Sequence, residues 1–372
     1  MSKFCNILQK GMFVSHRGMS LCCLNEDRHK DTLPSEFWYG DTRKNALEKM
    51  HNDKEVKGCD ICYRNEKNNM YSLRKLYHKW HHVPVKALPT MLDIDLSNFC
   101  NLKCVMCSPN RSSQHAKDVG LGVTGVDTKF IDDLVEMSGD LTEMSLQGGE
   151  PTLMPEYEYY FEKLKERDLC KNIKVDVITN LTNTKQKFYQ LLKEFKEIKI
   201  TVSVDAYGTA NEYVRWPSKF EAIENNFKVI SEMENVKEID ISHTVQLLSM
   251  FNYGDFLKWI KKIEEICTRQ PRTFRVSPIP LNNPVYLNCY SAPESLKQHF
   301  ANDVRAFFDS NDIKMHNTKT ELQLLCRRLK NVKTNDQVKA QLLEKVTKLD
   351  TQRQVKIEDY IPNFWDHYQK SQ

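Results

Sequence analysis

The apolar and polar positions of the chain change their rhythm near Thr90. Beyond it, short apolar runs rich in β-branched residues alternate with longer segments whose apolar positions recur every three to four residues. The first pattern predicts buried strands and the second predicts amphipathic helices. Six strands are predicted, at 91–96, 143–146, 174–178, 198–204, 239–245 and 274–279. The clearest helices predicted between them lie at 129–137, 157–167, 184–195, 220–233 and 253–266.

Strands that alternate with helices are typical of parallel βα units joined by right-handed crossovers. Six such units, rather than the eight of a closed barrel, predict an α/β fold with a partial (β/α)6 TIM-like barrel. We place this barrel at residues 87–315 and a helical extension at 316–372. The aromatic segment 360–365 of the extension is expected to pack on the barrel, because neighbouring aromatic residues seldom stay in solvent.

Residues 1–86 are polar and rich in cysteine, and they predict a small α+β domain of their own. A hairpin is predicted over 12–22, because a glycine in its middle suits a tight turn. Its return would bring the Cys22-Cys23 pair beside Cys5. The other predicted elements are helices at 43–50 and 71–80 and a proline-bounded link at 84–89.

Composition narrows the class of protein. The 372 residues carry 54 Lys and Arg against 50 Asp and Glu, a net charge of +4, which argues against wholesale coating of nucleic acid. The apolar fraction of 40% is enough for a sizeable core, and a glycine count of only 12 excludes collagen-like and glycine-rich disordered chains. There is no apolar run of about 18 residues and no apolar core of a secretory signal near the start. We therefore expect a cytoplasmic protein with no membrane partner.

The twelve cysteines are unevenly spread. Eight of them lie in the first 107 residues, where they include a C-x2-C pair and a C-x3-C-x2-C triplet. In a reducing compartment such clustering indicates metal or iron–sulfur ligation rather than disulfides. The other four stand alone and are expected to be core thiols: Cys170, Cys267, Cys289 and Cys326.

The triplet consists of Cys100, Cys104 and Cys107, on the loop predicted to leave the first barrel strand. In α/β barrels the carboxyl ends of the strands form the face that carries the site. Three thiolates can hold three irons of a [4Fe–4S] cluster and leave the fourth iron open to a non-protein ligand. A zinc site completed by a distant ligand such as His115 is the alternative that the spacing leaves open.

The second barrel strand ends in Gly148-Gly149-Glu150-Pro151. Its glycines let a ligand approach the backbone, and its carboxylate can anchor an ammonium group. Together with the cysteine triplet, this motif makes residues 90–280 resemble the radical SAM superfamily. The resemblance implies a [4Fe–4S] cluster on the triplet, with S-adenosylmethionine (SAM) on the open iron. It implies an enzyme that cleaves SAM to a 5′-deoxyadenosyl radical, which takes a hydrogen atom from a substrate, with flavodoxin or ferredoxin as the type of electron donor.

The resemblance also implies contacts to SAM near the carboxyl ends of the strands. Met106 stands where relatives often have an aromatic residue and would pack against adenine. Arg215 is similar to an arginine that pairs with the methionine carboxylate. From the residues alone, Asp205 as a loop cap and Arg215 as a solvated charge remain open alternatives. The other expected contacts to SAM are Gln147, Gly148, Gly149, Glu150, Asn180, Ser203, Asp205 and Gln246.

In the first region, Cys5, Cys23, Cys59 and Cys62 follow the pattern C-x12-G-x4-C with a later C-x2-C. Four thiolates of this kind are typical of a structural zinc ribbon. Beside a radical SAM barrel, however, the pattern resembles an auxiliary iron–sulfur domain of the twitch or SPASM type, placed here before the barrel rather than after it. The resemblance implies an auxiliary [4Fe–4S] cluster with four protein ligands. The glycine spacing favours Cys23 over its neighbour Cys22.

Relatives with twitch or SPASM domains commonly modify peptides or proteins, and some act on small molecules. The resemblance therefore implies a peptide or a small amino-acid-like molecule as substrate. A basic segment with aromatic residues at 73–83 gives a nucleotide or nucleic-acid base as the alternative substrate. The alternative from a different class is a non-catalytic zinc-binding adaptor on the same barrel, which predicts a colourless protein that leaves SAM intact.

Overall fold

A computed structural model describes residues 3–78, 85–311, 316–333 and 335–368 of the chain. The strands within these residues are β1 (Gly11–Ser15), β2 (Met91–Asp95), β3 (Lys103–Cys104), β4 (Glu143–Gln147), β5 (Lys174–Thr179), β6 (Glu197–Ser203), β7 (Arg215–Trp216), β8 (Val236–Val245) and β9 (Thr273–Pro280).

The α-helices fall before, between and after these strands. They are α1 (Ile7–Lys10), α2 (Pro34–Tyr39), α3 (Asp41–His51), α4 (Asp60–Lys67), α5 (Leu73–His78), α6 (Ser113–Asp118), α7 (Thr128–Glu136), α8 (Pro155–Glu166), α9 (Lys187–Leu192), α10 (Thr209–Val214), α11 (Phe220–Ser231), α12 (Tyr253–Cys267), α13 (Glu294–Ser310), α14 (His316–Leu329), α15 (Asp336–Arg353) and α16 (Phe364–His367). Among the described residues, none of the helices has the length and apolar character needed to cross a membrane.

Seven strands form one open sheet in the order β1-β2-β4-β5-β6-β8-β9, while β3 and β7 form a separate antiparallel pair. The pairs β1–β2, β2–β4, β4–β5 and β8–β9 are parallel. All six predicted strands are present with ends shifted by a few residues, and the alternating helices follow. The prediction of an α/β fold with a partial, unclosed TIM-like barrel and a helical extension is thereby confirmed.

The sheet contains a seventh strand that the sequence pattern does not predict. β1 belongs to the cysteine-rich first region, yet it pairs with β2 in parallel, with Ser15 opposite Asp95. The expected hairpin follows it, since Phe13 and Ser20 exchange two backbone hydrogen bonds of 2.9 and 3.1 Å. Gly18 in its turn has a φ of 113°, and a Cβ there would lie 2.9 Å from the backbone of His29. Glycine therefore fits this position and larger residues do not.

The chain divides into two compact units. The first consists of Met1–Asn101, Pro109–Ile178 and Lys185–Lys199, and the second of Leu102–Ser108, Thr179–Thr184 and Ile200–Gln372. The domain boundaries placed at 86 and 315 remain predictions. Part of the predicted helix 71–80, and of the basic segment 73–83, lies outside the described residues.

The core of the first unit is formed by alternate residues of the strands and by aromatic side chains of the helices. Tyr157 of α8 is fully buried with Phe161 and Phe188, whose rings lie 5.2 Å apart. Burying such a side chain contributes roughly 1.5–3 kcal/mol. The Tyr157 hydroxyl lies within hydrogen-bonding distance of the carbonyls of Ile94 at 2.7 Å and Gln147 at 2.8 Å. These contacts fix the carboxyl ends of β2 and β4 at one place.

The second unit has its own aromatic core, to which the end of the chain contributes. Phe364 of α16 is buried 5.4 Å from Phe251, and the side chain of Asn363 donates a hydrogen bond of 3.0 Å to the Phe251 carbonyl. The Thr209 hydroxyl donates a hydrogen bond of 2.9 Å to the Tyr360 carbonyl. The aromatic segment of the extension is thus packed against residues of the barrel helices within this unit.

Candidate metal and cofactor sites

Cys100 lies in the first unit, in a loop that is already fixed by hydrogen bonds of its own. Its side chain is buried, and its backbone N–H donates to Ser113 Oγ at 3.1 Å. The Ser113 N–H in turn donates to the Asn98 carbonyl at 2.7 Å. The Asn98 side chain donates to the Pro109 carbonyl at 3.2 Å and accepts the Thr124 N–H at 2.9 Å. The loop is therefore preorganised around Cys100, as a metal ligand requires.

The two glycines after β4 are required by the packing of this same loop. Gly148 has a φ of 129°, and a Cβ on it would lie 2.8 Å from Asp95 Oδ1. A Cβ on Gly149 would lie 2.2 Å from the Phe99 carbonyl oxygen, a distance that no side chain tolerates. The Glu150 N–H donates to that same carbonyl at 2.8 Å. The glycine turn thus packs against the residue that precedes Cys100, a reason beyond the ligand approach inferred from the sequence.

The polar side chains around this turn have defined partners. Glu150 is almost fully buried, and its carboxylate accepts hydrogen bonds from the hydroxyl of Thr152 at 2.6 Å and from its N–H at 3.3 Å. Gln147 accepts a hydrogen bond from Arg111 at 3.2 Å. Arg111 is a residue to which the sequence analysis gave no role, since no motif marks it.

Cys104 and Cys107 lie in the second unit, where Cys104 is paired with an arginine. Cys104 faces Arg215 across the β3–β7 ladder, and Arg215 Nη1 lies 3.9 Å from Cys104 Sγ. The Cys107 N–H donates to the Cys104 carbonyl at 3.0 Å. Burial raises the pKa of the Cys104 thiol to about 12, against the opposing effect of Arg215. A thiol in this state is protonated at neutral pH and loses its proton when a metal binds.

Arg215 is anchored by a buried carboxylate. Its Nε lies 2.8 Å from Asp205 Oδ2, and Asp205 is fully buried. The other oxygen of Asp205 accepts the Thr244 N–H at 2.8 Å. Since the Arg215 side chain is only 12% exposed, the alternative of a solvated charge is wrong. Asp205 also does more than cap its own loop, because it joins Arg215 to the backbone of β8.

The remaining expected SAM contacts of the second unit differ in their burial and in their hydrogen bonds. Asn180 accepts hydrogen bonds from the hydroxyl and N–H of Thr182, which closes a turn. Gln246 is fully buried and accepts the Leu248 N–H, but its Nε2 has no hydrogen-bond partner within the described residues. A buried amide group without a partner is costly, so Gln246 Nε2 suits a ligand oxygen. Ser203 and Met106 are partly exposed.

Arg353 of α15 supports the cysteine loop from the C-terminal extension. It donates hydrogen bonds to the carbonyls of Tyr213 at 2.8 Å and Lys103 at 3.3 Å. Its guanidinium also lies 5.0 Å from the ring centre of Tyr213 and 5.2 Å from that of Trp216. Because Lys103 directly precedes Cys104, Arg353 positions the loop that carries this thiol. The sequence gave no signal for this role, since the two residues are 250 positions apart.

A second group of thiols lines one cavity in the first unit. Cys5, Cys22, Cys59 and Cys62 all face this cavity, together with Arg74 and Tyr77. Three of the four cysteines named from the sequence are therefore brought together.

The fourth lining thiol is Cys22 in place of the expected Cys23. Cys23 is not among the residues that line the cavity, and its side chain is hydrogen-bonded to Asp93 instead. The side chains of adjacent residues diverge, so only one of the two thiols can face the cavity. The structure thus places Cys22, and not Cys23, on the wall of the cavity with Cys5, Cys59 and Cys62.

The thiols that line this cavity are buried and act on one another electrostatically. Burial raises the pKa of Cys5 and Cys22 to about 12 and that of Cys59 to about 11, and neighbouring thiolates raise each of them further. Asn25 Nδ2 lies 3.7 Å from Cys59 Sγ and donates to it. In the described residues, no three His, Cys, Asp or Glu side chains are spaced to hold one metal ion. In a [4Fe–4S] cluster each thiolate binds a different iron.

Comparisons with known proteins bear on this arrangement. No curated protein matches the chain. Among solved structures, the similar chains include anSMEcpe with bound AdoMet and Cp18Cys peptide (18% identity, TM-score 0.38) and Streptococcus suis SuiB bound to precursor peptide SuiA (15% identity, TM-score 0.41). The first match covers 59% of this chain and 58% of the other, and the second covers 81% and 69%. The chain thus spans less than two thirds of the length of anSMEcpe.

A family model gives the more specific result. The model of the Radical SAM superfamily matches residues 94–263, from β2 through β8 and most of α12. This range contains Cys100, Cys104 and Cys107, the glycine turn, and both Asp205 and Arg215. Residues 94–263 are therefore a radical SAM domain, and the cofactors of such a domain are a [4Fe–4S] cluster and S-adenosylmethionine.

Proposed function

We propose that the protein cleaves SAM reductively and removes a hydrogen atom from a peptide or a small amino-acid-like substrate. The observation that carries this proposal is the family match over 94–263, which includes the Cys104–Arg215–Asp205 arrangement. When bound, the cluster supplies the electron that breaks the C5′–S bond of SAM, with methionine and a 5′-deoxyadenosyl radical as products. The protein supplies placement and exclusion of water.

The residues of the chain have separate roles in this proposal. Cys100, Cys104 and Cys107 hold three irons and leave the fourth to SAM. Arg215 stays charged while buried, because Asp205 lies 2.8 Å from it. Through its contact with Cys104 Sγ, Arg215 positions this ligand of the cluster. The unpartnered Gln246 Nε2 donates to an oxygen of the nucleoside.

Two features support a peptide or an amino-acid-like substrate. One is the cysteine-rich first region, which resembles the auxiliary domains of peptide-modifying relatives. The other is a cavity of about 830 Å³ in the first unit, which begins at the ends of β1 and β2. Pockets for small ligands range from roughly 300 to 1,000 Å³, so this one accommodates several amino-acid residues. Arg74, one of the basic residues behind the nucleic-acid alternative, does not face a partner of that kind, because its side chain is buried and paired with Glu66.

A direct assay tests the proposed reaction. The anaerobically reconstituted protein is incubated with SAM and dithionite, and 5′-deoxyadenosine is measured by chromatography. Accumulation of 5′-deoxyadenosine supports the proposal, and deuterium arriving in it from labelled peptides identifies the substrate. A colourless protein that leaves SAM intact would establish the zinc-binding adaptor instead. Flavodoxin or ferredoxin, each with its reductase, then replaces dithionite to identify the type of electron donor.

We further propose that Cys5, Cys22, Cys59 and Cys62 hold an auxiliary [4Fe–4S] cluster in the region 1–86. The reconstituted protein is then expected to contain about eight irons, four for each cluster. The Cys22→Ala variant should fall toward about four irons, because a cavity ligand is lost, whereas Cys23→Ala should keep about eight. Iron and labile sulfide analysis measures both variants.

The adjacent cysteine is the matched control for this experiment. Loss of iron in Cys23→Ala but not in Cys22→Ala would restore the choice made from the glycine spacing. A content of about four irons with one zinc in the unsubstituted protein would make this a structural zinc site.

A further inference from the structure

Four buried polar atoms without hydrogen-bond partners lie together at the ends of β1 and β2. They are both ring nitrogens of His16, Nε of Arg17 and Oδ1 of Asp95, each without a partner in the described part of the chain. A buried polar group without a partner has lost its hydrogen bonds to water and gained none in return, which is unfavourable. Such groups are rare in native proteins, so four on three neighbouring residues indicate a place that a ligand completes.

The charges around these atoms are predominantly positive. Arg17 Nη2 lies 2.9 Å from Asp95 Oδ2, and Asp95 is 1% exposed on its side chain. Arg111 is close enough to act on His16, since Arg17 and Arg111 both lower the pKa of His16 after the larger effect of burial. The same two arginines lower the pKa of Arg28, again after burial. Arg17 thus pairs with Asp95, and Arg17 and Arg111 both act on His16.

Each of these arginines is held in place by the first unit alone. Arg111 donates to Gln147 at 3.2 Å, at the end of β4. Arg28 lies 4.4 Å from the ring centre of Phe13 and donates to the Cys23 carbonyl at 3.0 Å. The planar guanidinium group, here with the Arg17 Nε unpartnered, matches the geometry of carboxylate and phosphate oxygens.

His16 and Arg17 line the 830 Å³ cavity, and so does Asn110, the chain neighbour of Arg111. The partly buried side of the cavity is formed by Ser15, His16, Arg17 and Asn98. On its exposed side, two lysines are balanced by three acidic residues, two of which already accept backbone hydrogen bonds. These exposed residues are Lys30, Lys129, Asp31, Glu36 and Asp127. The exposed side thus carries no excess of positive charge, and the guanidinium group that lines the buried side is that of Arg17.

We propose that Arg17 and Arg111 bind an anionic group of the substrate, a carboxylate or a phosphate, with His16 as its neutral hydrogen-bond partner. This inference rests on the proposed function, because it names a chemical feature of the same substrate. Its site combines His16 and Arg17, which precede the family match at 94–263, with Arg111, which lies inside it. The anion would take up the unpartnered donors of Arg17 and His16 while Asp95 holds Arg17 in place.

Nuclear magnetic resonance of the ¹³C-histidine-labelled, reconstituted full chain tests this site. Inorganic phosphate and succinate are titrated separately, and a His16→Gln variant identifies the His16 signal. One of the two anions should bind saturably and raise the pKa of His16, since an added negative charge favours the imidazolium. The phosphate and succinate arms distinguish the two sources of the anion.

Substitutions test which arginines bind the anion. Arg17→Gln and Arg111→Gln should each lower the affinity for the anion at least tenfold. Arg111→Gln leaves the Arg17–Asp95 ion pair intact, so it remains informative if Arg17→Gln fails to fold. Arg167→Gln, at an exposed arginine paired with Glu136, is the matched control and should bind the anion as the unsubstituted protein does.

Three outcomes would overturn the inference. They are the absence of a His16 response to both anions, unchanged affinity in the Arg111→Gln variant, and displacement of the anion by saturating SAM without reductant. The last would assign these arginines to the carboxylate of SAM. Anion binding in a protein that forms no 5′-deoxyadenosine would instead contradict the proposed function and leave this site standing.

Discussion

The Cys104→Ala variant is expected to form no detectable 5′-deoxyadenosine from SAM under dithionite. Its thiol is buried, faces Arg215 and is proposed to hold one of the three protein-bound irons. With two thiolates left, the cluster has lost a third of its protein ligands and its open iron is no longer held toward SAM. The variant should also contain about four irons fewer than the unsubstituted protein, with the auxiliary cluster retained.

A matched control is available in Cys267→Ala. Cys267 is likewise a buried thiol, and burial likewise raises its pKa to about 12, but it lies on α12 and belongs to no cysteine motif. This variant should retain iron and SAM cleavage. If Cys104→Ala forms as much 5′-deoxyadenosine as the unsubstituted protein, the triplet has been assigned wrongly.

Replacing Arg215 by methionine should lower both stability and SAM binding. Asp205 is fully buried, and its Oδ2 faces the guanidinium at 2.8 Å. Removing one partner of a buried ion pair leaves an uncompensated charge and costs about 3–5 kcal/mol. We expect the free energy of unfolding to fall by about that amount. SAM affinity, measured by equilibrium dialysis without reductant, should fall at least tenfold.

A double variant separates the two effects. In Arg215→Met/Asp205→Asn the uncompensated charge is removed, while an oxygen remains to accept the Thr244 N–H. The free energy of unfolding should return close to that of the unsubstituted protein, because the two side chains interact directly and their effects on stability are not additive. SAM binding should stay weak. Lys219→Ala, at an exposed residue of the same unit, should leave both quantities unchanged. If the single variant binds SAM normally, Arg215 has a purely structural role.

The strands of the barrel could be predicted from the sequence because burial imposes a local pattern. Runs such as 198–204 and 239–245 are apolar and β-branched, and β6 and β8 occupy nearly those residues. The triplet on the loop after β2 could be found for a similar reason. Three ligands of one cluster must lie close together, and a short loop places them close in sequence.

β1 was predicted as part of a hairpin but not as a strand of the barrel sheet. Its residues are buried throughout, yet a run of five cannot reveal which strand it pairs with. Which of Cys22 and Cys23 lines the cavity could not be predicted, for a related reason. Spacing is nearly identical for adjacent residues, whereas the direction of each side chain depends on the packed backbone around it.

The amino-acid sequence by itself determined the kind of chemistry, since a three-cysteine loop and a glycine-rich turn follow successive apolar strands. Those are local features, written within about ten residues each. Only the tertiary structure decided which charges are neutralised and which stay available. Arg17 meets Asp95 across 78 positions, and Arg353 reaches the carbonyl of Lys103 across 250. Such pairings follow from the order of parallel strands and from helix packing, and no short stretch of sequence contains them.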